Sequence, residues 1–254
     1  VQAKGYAAWL DEQMSARSYT SGWDWLVSQG YRQYGIRFNQ HYADHMIWNQ
    51  LIAAPDAVRK RVALAWSEIF VVSTSTIEGH WPSFAMAAYW DLLNQHAFGN
   101  YRQLLEAITL NPAMGAYLNT RGNKKADGSG RVPDEDYARE VMQLFSIGLY
   151  DLNADGTLRG GAPRETYGPS DVSNLARIVT GYDLNSPNRE HETDPQPFRV
   201  PMVLNASDHS PEPASFLGQT VGSGDGASRL PLALDILFNH PNVGPFIGRP
   251  LLPR

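Results

Sequence analysis

The 254-residue chain contains no cysteine. That excludes disulfides, thiolate metal sites and cysteine nucleophiles. It leaves the compartment open, because a chain of this length can bury a core that needs no staples. No apolar run approaches the roughly 20 residues that cross a bilayer as a helix, so no transmembrane segment is expected. A basic run is missing as well, and the formal net charge is −5. Without clustered Lys and Arg to displace counterions from phosphates, nucleic acid is not an expected partner. There is no G-x-S-x-G elbow, no Walker loop and no dinucleotide-binding glycine pattern. "GSGDGAS" (222–228) is glycine-rich but has neither the Lys nor the preceding strand, and reads as a flexible loop.

What is present is an ordinary globular balance, 43% apolar and 19% charged, patterned mostly at helical spacing. "GYAAWLDEQM" sets Ala7, Leu10 and Met14 on one stripe. "PDAVRKRVALAWSEIFVV" does the same with Val58, Val62, Ala65, Trp66 and Ile69. "SFAMAAYWDLLNQHAF" is apolar almost all the way round, which marks a central helix. A polar, glycine-rich loop, "NTRGNKKADGSGRVP", precedes a helix read over 134–150. Residues 183–226 hold much of the Pro, Gly, Asp and Asn, with at most a short β-hairpin around "FRVPMVL" and "SFLGQTVG". The expected architecture is mainly α: a single multi-helix domain over 1–254 with a loop-rich excursion at 183–226.

The densest chemistry lies in "DEDYARE" (134–140). Asp136 and Glu140 are four apart and share a helical face. Like charges so placed call for an offset: a cation, a nearby Arg, or protonation of one partner. The last two are ingredients of acid–base catalysis, and Glu140 and Asp136 are the candidate catalytic pair. The structural alternative is an i,i+4 ion pair between Glu135 and Arg139, with acids stabilising a helix N-terminus.

"DLNADGTLRGGA" (151–162) follows. Asp151, Asn153, Asp155 and Gly156 fill the first half of a calcium-loop pattern, but Arg159 and Ala162 stand where later ligands belong. The same letters make a good turn between "LYDL" and "TLRG". A hairpin turn is the first reading. An irregular calcium site on Asp151, Asn153 and Asp155, completed by a distant carboxylate, is the second.

Weaker signals concern histidine and tryptophan. His41 and His45, with Asp44 between them, echo a zinc-peptidase helix but lack a third ligand. His96 reads as hydrogen-bonded core. Asp208-His209-Ser210 names hydrolase residues without the geometry that a triad needs. Trp66, Tyr89 and Trp90 fall at core spacing, whereas Trp23, Trp25 and Trp81 are expected near a surface.

From "PDEDYAREVMQLFSIGLYDLNADGT" outward, the chain resembles the bacterial family catalogued as domain of unknown function 1800 (DUF1800). Ordered blocks elsewhere agree, among them "RKRVALAWSEIFVVS", "DVSNLARIVTGY", "PMVLNASDHS" and "HPNVGPFIGR". The resemblance implies a mainly helical protein whose relatives often carry export signals, hence an extracytoplasmic location. The start at Val1 rather than Met, together with the family's usual extent, predicts native chain beyond both ends. Gly168 stands where the family tends to have a capping Thr. The functional expectations are a hydrolase acting on an extracellular polymer through Glu140, or a non-catalytic cell-surface binding or assembly module, calcium-stabilised in one version. The corresponding partners are a polysaccharide or a cell-surface protein.

Overall fold

A computed structural model of the chain describes residues 3–16, 20–77 and 79–252. Among these it contains eleven α-helices and two pairs of very short antiparallel strands, so the mainly α expectation holds. None of the helices is long and apolar enough to cross a membrane. The backbone divides into two compact units, Val1–Ala113 with Asn185–Pro201 and Met114–Leu184 with Met202–Arg254. The loop-rich excursion is therefore shared, its stretch 185–201 belonging to the first unit.

The first unit is organised on α5 (Pro82–Gln95), in which eleven of fourteen residues are buried. Pro82 opens the helix, where a missing N–H costs nothing. Helices α2 (Gly22–Ser28), α3 (Tyr42–Ala53), α4 (Ala57–Ile69) and α6 (Tyr101–Thr109) pack against it. Trp23 meets Phe84 edge-to-face at 4.9 Å, a preferred aromatic geometry. Trp23 and Trp81 are 1% and 2% exposed, against the expectation of surface positions. Trp23 fills the α2–α5 seam. Trp81, with φ 61, is the left-handed residue that turns the chain into α5. The exposed tryptophan is Trp48.

Two helices bury a different face from the one their apolar stripes suggest. In α1 (Gly5–Ser15) Leu10 and Met14 are exposed, and the buried residue is Gln13. Its amide donates to Pro55 O (3.0 Å) and accepts from Val58 N (3.2 Å), which satisfies a side chain that burial would otherwise penalise. In α4 the buried residues are Lys60 and Ala63. Lys60 is tolerated because Asp56 lies 3.6 Å away and Thr20 O accepts from its ammonium at 2.8 Å.

After α7 (Pro112–Tyr117), the second unit contains α8 (Asp136–Gln143), α9 (Pro169–Ile178), α10 (Gly226–Phe238) and α11 (Val243–Leu251). Helix α9 packs on α8, α10 and the hairpin strand β3. The two segments expected to pair with each other belong to different pairs. β2 (Val203–Leu204) joins β1 (Tyr182–Asp183), and β3 (Ala214–Phe216) joins β4 (Gln219–Val221). The helix expected over 134–150 stops at Gln143. Ile147 and Gly148 both donate back to Met142 O, and Gly148 takes φ +70, a left-handed stop that glycine adopts without strain. Gly168 does cap α9: the Asp171 carboxylate accepts from Gly168 N at 2.8 Å.

Candidate functional site

The first unit carries a cleft of about 670 Å³ between the C-terminal half of α5, α6 and the returning segment 198–201. Its apolar wall includes Leu92, Leu110, Phe198, Val200 and Pro201. Its polar groups include Ser21, Arg59, Asp91, His96 and Arg199. The volume lies in the range of small-molecule sites.

Asp91 anchors one side. Its carboxylate accepts from Ser21 Oγ (2.5 Å), Gly22 N (2.6 Å) and Trp23 N (3.1 Å), which ties the N-terminus of α2 to α5. Burial pushes this carboxyl up, and the donors and the Lys60 ammonium pull it back. Burial holds Lys60 below the ordinary lysine range, opposed by Asp56 and Asp91. Both carboxylate oxygens of Asp56 are enclosed without a hydrogen-bond donor.

Arg59 donates to Asn94 O (2.8 Å) and Ala16 O (2.9 Å), the chain ends of α5 and α1, and its guanidinium lies 4.7 Å from the Phe98 ring centre. Among the described residues it has no acidic partner, and its Nε makes no hydrogen bond. Arg199 sits 3.6 Å from Asp24 and 5.2 Å from the Trp23 ring centre. His96, expected in the core, is only partly buried and lines the cleft. Burial holds its imidazole below the usual value, so it is neutral at pH 7. Its place at the end of the buried helix was the signal in the sequence, because a helix end is where a core helix meets solvent.

The sequence-derived pair lies in the second unit. Asp136 is exposed and accepts from Asn119 Nδ2 at 2.9 Å. Glu140 is half-buried and its Oε2 is enclosed with no hydrogen-bond partner. Burial pushes its carboxyl up, Arg139 draws it down and Asp136 adds a smaller push. The two acids are thus electrostatically coupled but not hydrogen-bonded to each other. The neighbouring Tyr167 hydroxyl donates to Gln143 Oε1 at 3.2 Å. Glu135 and Arg139 form the expected ion pair at 3.1 Å, and Ser173 Oγ donates to Glu135 at 2.5 Å.

The loop "DLNADGTLRGGA" folds as a turn. Leu152 bridges Leu158, and Asn153 N donates to Thr157 O at 2.8 Å. Asp155 accepts from Thr157 N (2.9 Å) and Thr157 Oγ1 (2.6 Å). Asp151 is paired with the Arg164 guanidinium, and Asn153 Nδ2 donates to Thr157 Oγ1 at 3.0 Å. Among the described residues no three His, Asp or Glu side chains gather in a way that could hold a metal ion. His41 and His45 are both exposed.

His209 of the "SDHS" stretch is buried. Its Nδ1 donates to Thr180 O (2.8 Å) and its Nε2 accepts from Arg229 (3.0 Å), so the ring is a latch, and the Ser210 hydroxyl donates instead to the Glu212 carboxylate at 2.6 Å. Arg229, 2% exposed, also donates to the carbonyls of Ser210 and Glu212.

No curated protein and no solved structure matches the chain. A family model described as "Protein of unknown function (DUF1800)" matches residues 1–254, so the chain belongs to that family.

Proposed function

We propose that this DUF1800 member is an exported, non-catalytic binding module that holds a small ligand, or the terminal group of a larger one, in the cleft of its first unit. The observation carrying this reading is a cleft of about 670 Å³ lined by a guanidinium without an acidic partner and a neutral imidazole. The acids expected to do chemistry support it from the other side. Of the expected pair, Asp136 is occupied by Asn119, and the adjacent Glu135 is spent on Arg139 and Ser173. The family resemblance implies an extracytoplasmic location, where a polysaccharide or a surface protein would supply the ligand. The test is a fragment screen by NMR. Binders should shift the His96 and Ala107 resonances, and Ala107→Phe, which fills the cleft, should abolish those shifts. Fragments that bind equally well to Ala107→Phe would remove the reading.

One observation favours hydrolysis of an extracellular polymer as a second reading. Glu140 has an orphaned, desolvated oxygen and a raised carboxyl, the state of a general acid. Polymer breakdown lost in Glu140→Gln and falling with rising pH would establish it. Breakdown unchanged by the substitution would end it.

A further inference from the structure

We propose that the cleft of the first unit recognises a monocarboxylate with an apolar body, with Arg59 and Arg199 holding the carboxylate. The inference rests on the binding reading above and adds the class of ligand.

Charge comes first. Arg59 and Arg199 bring two positive charges to the lining and Asp91 brings one negative. His96 is neutral, and Lys60 lies behind the wall with Asp56 as its counter-charge. Asp24, outside the lining, pairs with Arg199, so the lining cation left without an acidic partner among the described residues is Arg59, and a monoanion supplies its counter-charge. Asp91 forms no ion pair with Arg59; its oxygens accept from Ser21, Gly22 and Trp23.

Donor geometry agrees. Each terminal nitrogen of Arg59 spends one N–H on a carbonyl and retains another, while its Nε–H is enclosed without a partner. Arg199 is held by Asp24 at 3.6 Å, longer than a hydrogen bond, and by the Trp23 ring, whose centre lies 5.2 Å away. The Arg199 and Asp24 side chains are 42% and 68% exposed, so their contact is weak enough to exchange for a ligand. Guanidinium pairs with carboxylate in a two-point geometry that a point cation cannot match. The apolar wall (Leu92, Leu110, Phe198, Val200, Pro201) suits a hydrocarbon body, with Ser21, Gln95, His96 and Asn111 as the remaining polar groups of the lining. The plainer account of Arg59 is that it neutralises the C-terminal carbonyls of α5 and α1. That account does not cover Arg199, whose neighbour Asp24 lies in the first turn of α2 and not among helix-end carbonyls.

The probes are benzoate and hexanoate, with benzamide as the neutral counterpart and inorganic phosphate as the competing anion, measured by calorimetry on the full chain. Benzoate or hexanoate should bind saturably, with one site per chain, and weaken with added salt. Arg199→Gln should weaken binding roughly tenfold to a hundredfold, the range of a charge-assisted bond, while leaving the melting temperature near that of the parent. Arg59→Lys is the second variant: it keeps the charge and should still weaken binding by loss of the fork. Equal affinity for benzamide and benzoate would overturn the inference and leave the binding reading standing. So would preference for phosphate, or carboxylate binding unaffected by Arg199→Gln. If neutral fragments enter the cleft and neither carboxylate does, the inference fails alone. If nothing enters, both readings fail.

Discussion

The Phe246 ring lies within 2.5 Å of the point where a side chain on Gly148 would begin. Gly148 also holds φ +70, so two independent constraints exclude any other residue there. Gly148→Ala should destabilise the chain by about 2 kcal/mol or more, the left-handed penalty with the displaced ring added. A urea titration reading the midpoint would check it. An unchanged midpoint would mean that the turn after α8 is not anchored by α11.

Asn242 is fully buried and ties the same region together. It accepts from Leu152 N (3.0 Å) and donates to Ile147 O (2.9 Å) and Tyr150 O (2.7 Å). Asn242→Ala should cost roughly 2–4 kcal/mol, because three backbone groups lose their partner in the interior. Hydrogen exchange at Leu152 should accelerate in the same variant, a signature that a global loss alone would not single out.

Asp91 makes a parallel prediction in the first unit. Asp91→Ala removes the acceptor for three donors and part of the field that keeps Lys60 charged. A loss of about 2–4 kcal/mol is expected. Asp91→Asn should lose less, since its carbonyl oxygen can still accept. If both variants melt like the parent, the α2–α5 anchor contributes nothing.

Glu140 predicts a pH dependence of definite sign. Burial raises its carboxyl in the folded chain above the unfolded value. The protonated form is therefore the one that folding favours. Its contribution to stability is complete below the unfolded value, near 4.3, and is lost as pH rises through the raised folded value. Glu140→Gln should remove that decline, so the variant should gain relative to the parent as pH goes from about 4 to 7. Parallel stability curves for the two proteins would refute it.

The loop at 151–162 spends its oxygens internally. Asp155 accepts from Thr157, and Asp151 is paired with Arg164, whose displacement calcium would require. Addition of calcium or of a chelator should leave the melting temperature where it was. A rise with calcium, reversed by chelation, would restore the ion-stabilised version of the module.

Much of the fold was legible from pattern alone. The near-continuous apolar run of α5 marked the buried hub, and Asn-Ala-Asp-Gly marked its turn. Faces were less legible where a polar side chain found a specific partner. Gln13 and Lys60 are buried because Pro55, Val58, Thr20 and Asp56 meet them, and spacing does not encode such meetings. The end of α8 was missed because an apolar run continues past Gln143, while the stop is set by Gly148 beneath Phe246, far along the chain. The like-charge tension of Asp136 and Glu140 was visible, but not that Asn119 would relieve one member and leave the other alone. The cleft was hidden for a similar reason: Arg59 and Arg199 are 140 positions apart.

That separation bears on how the protein comes off the ribosome. Phe198 and Arg199 reach the first unit only after the whole of 114–184 has been made. An N-terminal piece ending near residue 113 would emerge with its apolar wall unfinished. At ordinary synthesis speeds, of about 5–20 residues per second, it would wait several seconds for the missing strip. Nascent chains stalled before and after residue 201 should therefore differ sharply in protease resistance over 82–109.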